Sequence, residues 1–183
     1  VNRGDRVEAG QPLVRLDDTR FRSAFLEADS QARVLRASIA RLEAEVLERP
    51  EIEFPDGIDP DGELARSERS LFQARRSSLR EAEQSINEEM RLARRQIELT
   101  EPLVQRRAVS EMEPLKLRQS TASLAGRLAD IRNSYVQDAY TELTQKQAEL
   151  VALEQSLLQR QDQLRRTVIT SPVNGRFNNV LVT

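Results

Sequence analysis

Acid–base chemistry in this chain would have to come from carboxylates, because the sequence has 30 Asp and Glu residues but no His and no Cys. Histidine is the commonest acid–base group and metal ligand, and cysteine would be needed for a thiolate nucleophile or a disulfide. The carboxylates stand beside arginines along helix-like segments, for example Glu43 with Glu45 and Glu88 with Glu89. This spacing is typical of a solvated, salt-bridged helix surface. Since no nucleotide-binding loop, zinc motif or nucleophile elbow occurs, we predict no enzymatic activity, no cofactor and no metal site.

The composition favours long helices over a compact globular enzyme. Only 4% of the residues are aromatic, Trp is absent, and the chain has six Gly among its 183 residues. A net charge of −2 creates no general attraction for nucleic acid or for an anionic membrane. We therefore predict a mainly helical protein that has no nucleic-acid partner.

Three segments carry apolar residues at spacings of three and four, which are typical of a coiled-coil seam. These seams occupy residues 21–46, 72–104 and 117–164. The third seam slips in phase by one residue before Leu150, which changes the local supercoiling. The pattern predicts three long helices that pack along apolar stripes.

Breaks between the seams set the bounds of these helices. We predict helices at about 18–49, 63–107 and 111–166 from the apolar seams and the capping residues. Residues 50–62 contain three Pro and two Gly and are predicted to form an extended loop. Residues 108–111 interrupt the last two seams and are predicted to form the tip of a helical hairpin.

Short strand patterns punctuated by glycine stand at both ends of the chain, in residues 1–17 and 167–183. Their apolar alternation predicts a small β-domain that is split by the long helical excursion of residues 18–166. We expect this β-domain to clamp the two ends of the helical arm. Two sets of residues carry the expectation: a shared core of Val7, Leu13, Val168 and Val173, and turn glycines with positive φ at Gly4, Gly10 and Gly175.

The lengths of the elements constrain how they pack. At 1.5 Å of rise per residue the second helix spans roughly 65–70 Å and the third roughly 80–85 Å, so the two can pair antiparallel. The loop at 50–62 can span about 40 Å when extended. We therefore predict that it returns the chain toward the strands, which places the first helix beside the lower part of the hairpin.

No apolar run in the sequence approaches the length that a bilayer crossing requires. The sequence begins at Val1 and stops within a strand pattern at Thr183. We interpret it as a fragment, and we expect targeting and membrane segments to lie outside it.

The two end segments resemble the halves of a lipoyl or biotinyl carrier domain, a family that modifies a lysine in a tight hairpin. Neither residues 1–17 nor residues 167–183 contain a lysine, which argues against a covalent carrier function. The full pattern is more specific: Val-x-x-Gly-Asp-x-Val-x-x-Gly-Gln-x-Leu-x-x-Leu-Asp, then coiled-coil helices, then Ile-Thr-Ser-Pro-Val-Asn-Gly-Arg at 169–176. This arrangement resembles the periplasmic adaptor, or membrane fusion protein, family. It is most similar to the hemolysin-D-like adaptors of type I secretion systems.

The resemblance implies a periplasmic protein anchored in the bacterial inner membrane, which bridges an ABC transporter and a TolC-like outer-membrane channel. It implies self-association into a ring, usually of six protomers, that exports a large polypeptide cargo. An N-terminal transmembrane helix and a C-terminal β-barrel region would belong to the full protein. The motif residues would serve structure alone; they are Gly4, Asp5, Val7, Gly10, Leu13, Ser171, Pro172, Val173 and Gly175.

In this family the hairpin tip docks against the channel through an Arg, a Leu four residues later and a Ser seven residues after that. Leu103 and Ser110 match this spacing, whereas Leu99 stands where the Arg would be. Arg106 and Arg107 stand nearby and could substitute for it. The predicted docking set is therefore Leu103, Arg106, Arg107, Val109, Ser110 and Glu111.

Two other functions fit parts of the same pattern. One is the adaptor of a tripartite drug or macrolide efflux pump, although the three-helix pattern with a Pro-rich break favours type I secretion. The other is a purely structural coiled coil, which predicts that residues 1–17 and 168–178 do not pair.

Overall fold

The computed structural model describes residues 5–177, so the predicted turn residue Gly4 lies outside the described residues. The architecture is mainly α with small β, and the helices lie between two groups of paired strands, which confirms the predicted fold class. Each helix begins and ends within three residues of the bounds predicted from the sequence. The helices are α1 (Thr19–Val46), α2 (Glu63–Gln105) and α3 (Met112–Arg166), and the strands are β1 (Arg6–Val7), β2 (Pro12–Arg15), β3 (Val168–Thr170) and β4 (Gly175–Arg176).

The strands from the two ends of the chain pair with each other. β1 pairs antiparallel with β4, and β2 pairs antiparallel with β3. Between these ladders the Gly10 amide donates to the Ser171 carbonyl over 2.7 Å, and the Ser171 amide donates to the Gln11 carbonyl over 2.9 Å. This pairing contradicts the alternative of a purely structural coiled coil, which predicts unpaired ends.

The packing of the strands differs from the expectation at one residue. Val7 is buried and Leu13 and Val168 are half-buried, but Val173 is 64% exposed, so its predicted burial is wrong. The reason is local, because the Ser171 hydroxyl donates to the Val173 carbonyl over 2.7 Å. This bond holds Val173 in the turn before β4, where its side chain faces solvent.

Two glycines of the strand motif differ in backbone conformation. Gly10 has a φ of +86°, as expected for a turn that excludes a Cβ. Gly175 lies in β4 opposite Val7, in extended backbone that any residue can adopt, so the expectation of a positive φ is wrong there.

The structure divides into two compact units, Val1–Leu35 with Gln147–Thr183 and Arg36–Lys146. In the first unit, α1 and α3 pack through small side chains, and Ala28 and Ala32 are buried. The Arg160 guanidinium donates to the Ala24 carbonyl over 2.7 Å and ties the two helices together. Just before α1, the Asp17 carboxylate accepts from the hydroxyl and the amide of Thr19, the first residue of the helix, and these bonds lower the Asp17 pKa.

In the second unit, α1 is covered on two faces. Its seam residue Leu42 packs against Ala139 and Leu143 of α3. A second face made of alanines packs against the returning loop and the start of α2; the two clusters are Ala40, Ala44, Ile52 and Phe72, and Ala37, Ile58 and Ala65. The loop therefore runs back along α1, and α2 starts beside the middle of α1 and then follows it in parallel.

A buried arginine joins all three helices where they meet. Arg41 of α1 is 2% exposed. Its guanidinium contacts Glu45 of α1 at 2.6 Å, Glu68 of α2 at 2.7 Å and Glu142 of α3 at 3.1 Å. Burial lowers the pKa of Arg41, but its hydrogen bonds to Glu45 and Glu68 outweigh this effect, so the net shift of the pKa is upward.

A second arginine completes this network. Arg75 of α2 lies 3.3 Å from Glu45 and 3.1 Å from Glu142, and its guanidinium stands over the ring of Tyr135. Burial raises the Tyr135 pKa, and the nearby Glu45 charge raises it further. We call the set Arg41, Glu45, Glu68, Arg75 and Glu142 the Arg41 network.

The prediction that the carboxylates form a solvated surface is therefore right for one pair and wrong for another. Glu88 pairs with Arg91 on an exposed face of α2. Glu45 is 1% exposed, because α2 and α3 cover the face of α1 on which it lies. An ion pair is costly to bury unless its partners satisfy it, so the buried pair constrains the fold far more than the exposed one.

Replacing Arg41 with methionine tests how much the fold depends on this network. Arg41→Met leaves buried carboxylates without their partner, so we expect the free energy of unfolding to fall by about 3–5 kcal/mol. The measurement is urea unfolding followed by circular dichroism. Arg91→Met removes an exposed partner of Glu88 and is the matched control, with an expected midpoint close to that of the unchanged protein. Equal losses in the two variants would contradict this account.

Candidate docking site at the hairpin tip

Beyond the Arg41 network, α2 and α3 continue as an antiparallel pair. The α2 seam is buried at Ile86, Met90 and Ala93, and the α3 seam residues from Leu117 to Tyr135 are half-buried, as expected for two helices without a third. Salt bridges cross between the helices, from Arg132 to Glu83 and from Arg118 to Glu101. These contacts carry the pairing up to the turn that joins α2 to α3.

α2 ends in a Schellman motif. The Ala108 amide donates to the Leu103 carbonyl over 2.9 Å, and the Arg107 amide donates to the Val104 carbonyl over 2.8 Å. Arg107 has a φ of 57°, in the left-handed region where this motif usually has glycine. The turn therefore has a defined backbone that is held by main-chain hydrogen bonds.

α3 begins with a side-chain cap. The Ser110 hydroxyl accepts from the Met112 amide over 3.3 Å, and Pro114 is buried in the first turn of the helix. The Glu113 carboxylate accepts from Lys116 over 3.4 Å instead of reaching back to Ser110, so the capping box expected from the sequence is only half formed.

Apolar side chains at this end of the hairpin face solvent. Leu103 is 41% exposed, and Leu99, which replaces the Arg of the family pattern, is 56% exposed. Met112 and Leu115 are 57% and 51% exposed, and the sequence analysis missed both. The available signal was that these apolar residues stand in the first turns of α3 but off its seam.

The polar residues of the predicted docking set surround these side chains. Arg106, Arg107, Ser110 and Glu111 are exposed, and Val109 is half-buried. The structure thus brings all six predicted residues into the turn and its two flanking helix ends. We call this set together with Leu99, Met112 and Leu115 the tip surface.

The chemistry of the tip surface is that of a contact face. It offers apolar side chains and two guanidinium groups, and within residues 5–177 no three Asp or Glu side chains gather in a way that would hold a metal ion. Nor does any helix in that range have an apolar stretch long enough for a membrane span.

The motif residues at the strand end have structural positions. Val7 pairs with Gly175, the Asp5 carbonyl accepts from the Phe177 amide over 2.9 Å, and Ser171 joins the two strand pairs. Pro172 is exposed in the turn after β3. These contacts hold the two ends of the chain together.

No protein-family model matches this sequence. The type I secretion system membrane fusion protein PrsE of Rhizobium meliloti (strain 1021) is 25% identical over 230 residues, which include 100% of this chain and 52% of PrsE. The chain therefore spans about half the length of this curated relative.

Among solved structures, the soluble domain of LipC, a membrane fusion protein of a type I secretion system, matches with a TM-score of 0.61 at 19% identity. The match covers 96% of this chain and 84% of the LipC chain. The periplasmic adaptor protein EmrA gives a TM-score of 0.35 at 17% identity, with 96% and 60% of the two chains covered, which is too low to support an argument.

The chain thus shares its fold with the LipC soluble domain, and its chain ends are paired with a helical hairpin between them in sequence. The similarity to PrsE extends over the whole chain. Together these findings confirm the resemblance to the membrane fusion protein family that the end motifs indicate.

The backbone of the tip makes a testable prediction at Arg107. A side chain in the left-handed conformation costs about 1 kcal/mol relative to glycine, so we expect Arg107→Gly to strengthen the turn. Hydrogen exchange of the Ala108 amide should slow by roughly 2–5-fold, because it reports local opening. Arg106→Gly is the control, since Arg106 has a φ of −84° and gains nothing from glycine. Faster exchange in Arg107→Gly would contradict the assigned conformation.

Proposed function

We propose that the chain is the central part of a periplasmic adaptor of a type I secretion system. In this role it bridges an inner-membrane ABC transporter and a TolC-like outer-membrane channel during export of a large polypeptide. The observation that carries the proposal is a hairpin with an exposed apolar tip, built between paired chain ends. The similarity to PrsE and the fold shared with LipC support it.

The proposed role divides the chain into a clamp and an arm. The proposed split lipoyl-like β-domain is assigned to residues 1–17 and 167–183, of which the structure describes 5–17 and 167–177, and the proposed coiled-coil domain is residues 18–166. The protein lies in the periplasm, and a segment outside this sequence anchors it in the inner membrane. Its action is mechanical, without catalysis or a cofactor, and a ring of protomers, most simply a hexamer, encloses the path of the cargo.

The tip surface is the proposed contact with the outer-membrane channel. Leu103, Val109 and Ser110 provide its centre, and the Ser110 hydroxyl also caps α3. Arg106 and Arg107 supply the positive charge that the family pattern has at the position of Leu99. Exposed apolar side chains at the end of a two-helix pair have few partners in their own chain, which favours an interaction role.

Charged substitutions at the tip test this proposal in the full-length protein. Leu103→Glu and Ser110→Arg should block recruitment of the channel and abolish secretion, because they put a bulky charge into the contact. Helical content measured by circular dichroism should stay nearly unchanged, since both residues are exposed and loss of the Ser110 cap affects only the first turn of the long helix α3.

Leu158→Glu is the matched control, because Leu158 is 67% exposed on α3 but far along the helix from the tip. Secretion should continue in this variant. Normal secretion in both tip variants would remove the assignment of the tip surface.

A further inference from the structure

Alanines make many of the apolar contacts that align α1 with the α2–α3 hairpin, beside larger side chains such as Leu42 and Phe72. Ala37, Ala40 and Ala44 form one face of α1, with Ala65 of α2 among the residues opposite them, and on another face Leu42 packs against Ala139 of α3. Alanine gives a helix a smooth surface with shallow knobs, so packing of this kind specifies the relative height of two helices weakly.

The heptad pattern of α3 does not remove this ambiguity. Its seam changes phase between Tyr135 and Leu150, and Ala139 and Leu143 in this stretch pack against α1. The loop between α1 and α2 is long, whereas α2 and α3 are joined by the short turn at the tip. The chain connections therefore constrain the register of α1 against α2 less than the register of α2 against α3.

The Arg41 network supplies the missing constraint. Each of its three carboxylates has one oxygen on Arg41 and the other on a second group. The second partners are Arg75 for Glu45 at 3.3 Å, Arg75 for Glu142 at 3.1 Å and the Ser38 hydroxyl for Glu68 at 2.8 Å. The Arg75 contact with Glu45 has the distance of an ion pair but not the angle of a hydrogen bond.

A slip of α1 by one heptad would move it by roughly 10 Å along the hairpin. The contacts of Arg41 with Glu68 and Glu142 would break together, and a guanidinium that is 2% exposed would lose two of its three anionic partners. A buried charge without partners is heavily penalised, so the network excludes the slipped state even where apolar packing would tolerate it.

We propose that the Arg41 network is a register lock, which sets the height of the tip above the end of α1 at Val46. Arg41 acts as a positioning residue, since it contacts neither the tip nor any partner there. The inference concerns the geometry of this unit alone and does not depend on what the tip binds. The network then serves to select one packing of the helices and not to add stability, because apolar residues of similar size would stabilise a buried site equally well.

Distance measurements between two spin labels test the lock. The chain has no Cys, so labels attach only at introduced cysteines. Leu47→Cys at the end of α1 and Gln119→Cys near the tip place both labels at exposed positions. The doubly labelled chain with no other change should give one narrow distance distribution in pulsed electron–electron double resonance.

The test variant replaces the whole network with apolar residues of similar size: Arg41→Met, Glu45→Leu, Glu68→Leu, Arg75→Met and Glu142→Leu. We expect the thermal midpoint to be kept or raised, and a second distance population to appear, displaced by about one turn to one heptad, roughly 5–10 Å. A single narrow distribution at the original distance would overturn the proposal.

Two further variants keep the result interpretable. Leu42→Ala removes apolar packing but leaves the network, so it should lower the thermal midpoint and keep one distance; a second population there would also overturn the lock. Arg41→Lys retains the charge but lacks the fork that reaches three carboxylates, so it should broaden the distribution while helicity is kept. If the fivefold variant does not fold, Arg41→Lys decides, and an unbroadened distribution counts against the lock.

Discussion

One constraint governs how the three helices pack: the Arg41 guanidinium is buried, and a buried charge must be paired. Its partners are three carboxylates. Those carboxylates lie on α1, α2 and α3, so the requirement is met only when all three helices have taken their places. The alanine faces allow the helices to approach closely, and the charges decide where along one another they stop. Small residues and buried ions are therefore complementary parts of the same packing.

The ends of α1 and α2 share a solution to a common problem. Each helix must stop sharply and send the chain back, and each does so with a non-glycine residue in the left-handed region, Glu48 with a φ of 51° and Arg107 with a φ of 57°. After α1 the Arg49 amide donates to the Ala44 carbonyl over 2.8 Å, in the same pattern as at the tip. One of these stops starts the loop that covers the alanine face, and the other shapes the tip surface.

Much of this architecture could be predicted because seams and caps are local in sequence. The seam from Phe72 to Val104 and the cap at Ser110 give the helices and the tip directly. The burial of Glu45 could not be predicted, because it follows from a second face of α1 on which alanines give little apolar signal. The burial predicted for Val173 was wrong for a related reason. An alternating pattern does not show that the Ser171 hydroxyl donates to the Val173 carbonyl and so fixes the turn in which Val173 is exposed.

At the tip, the family spacing predicts Leu103 and Ser110 as part of the tip surface, but not Met112 and Leu115, because a coiled-coil seam marks apolar residues that are buried. An exposed apolar residue beside a helix cap is the stronger sign of a contact face. At the strand end, the glycine motif predicts that the chain ends pair. The backbone conformation of each glycine could not be predicted, because it depends on whether the residue lies in a turn, as Gly10 does, or in a strand, as Gly175 does.

The central claim is that the tip of the hairpin, and not its sides, meets the outer-membrane channel. Site-specific photocrosslinking in cells tests it most directly, with a photoreactive residue at Met112 and, as control, at Tyr140, which are 57% and 60% exposed. The account predicts an adduct with the outer-membrane channel from Met112 and none from Tyr140. An adduct of equal yield from both positions, or from Tyr140 alone, would contradict it.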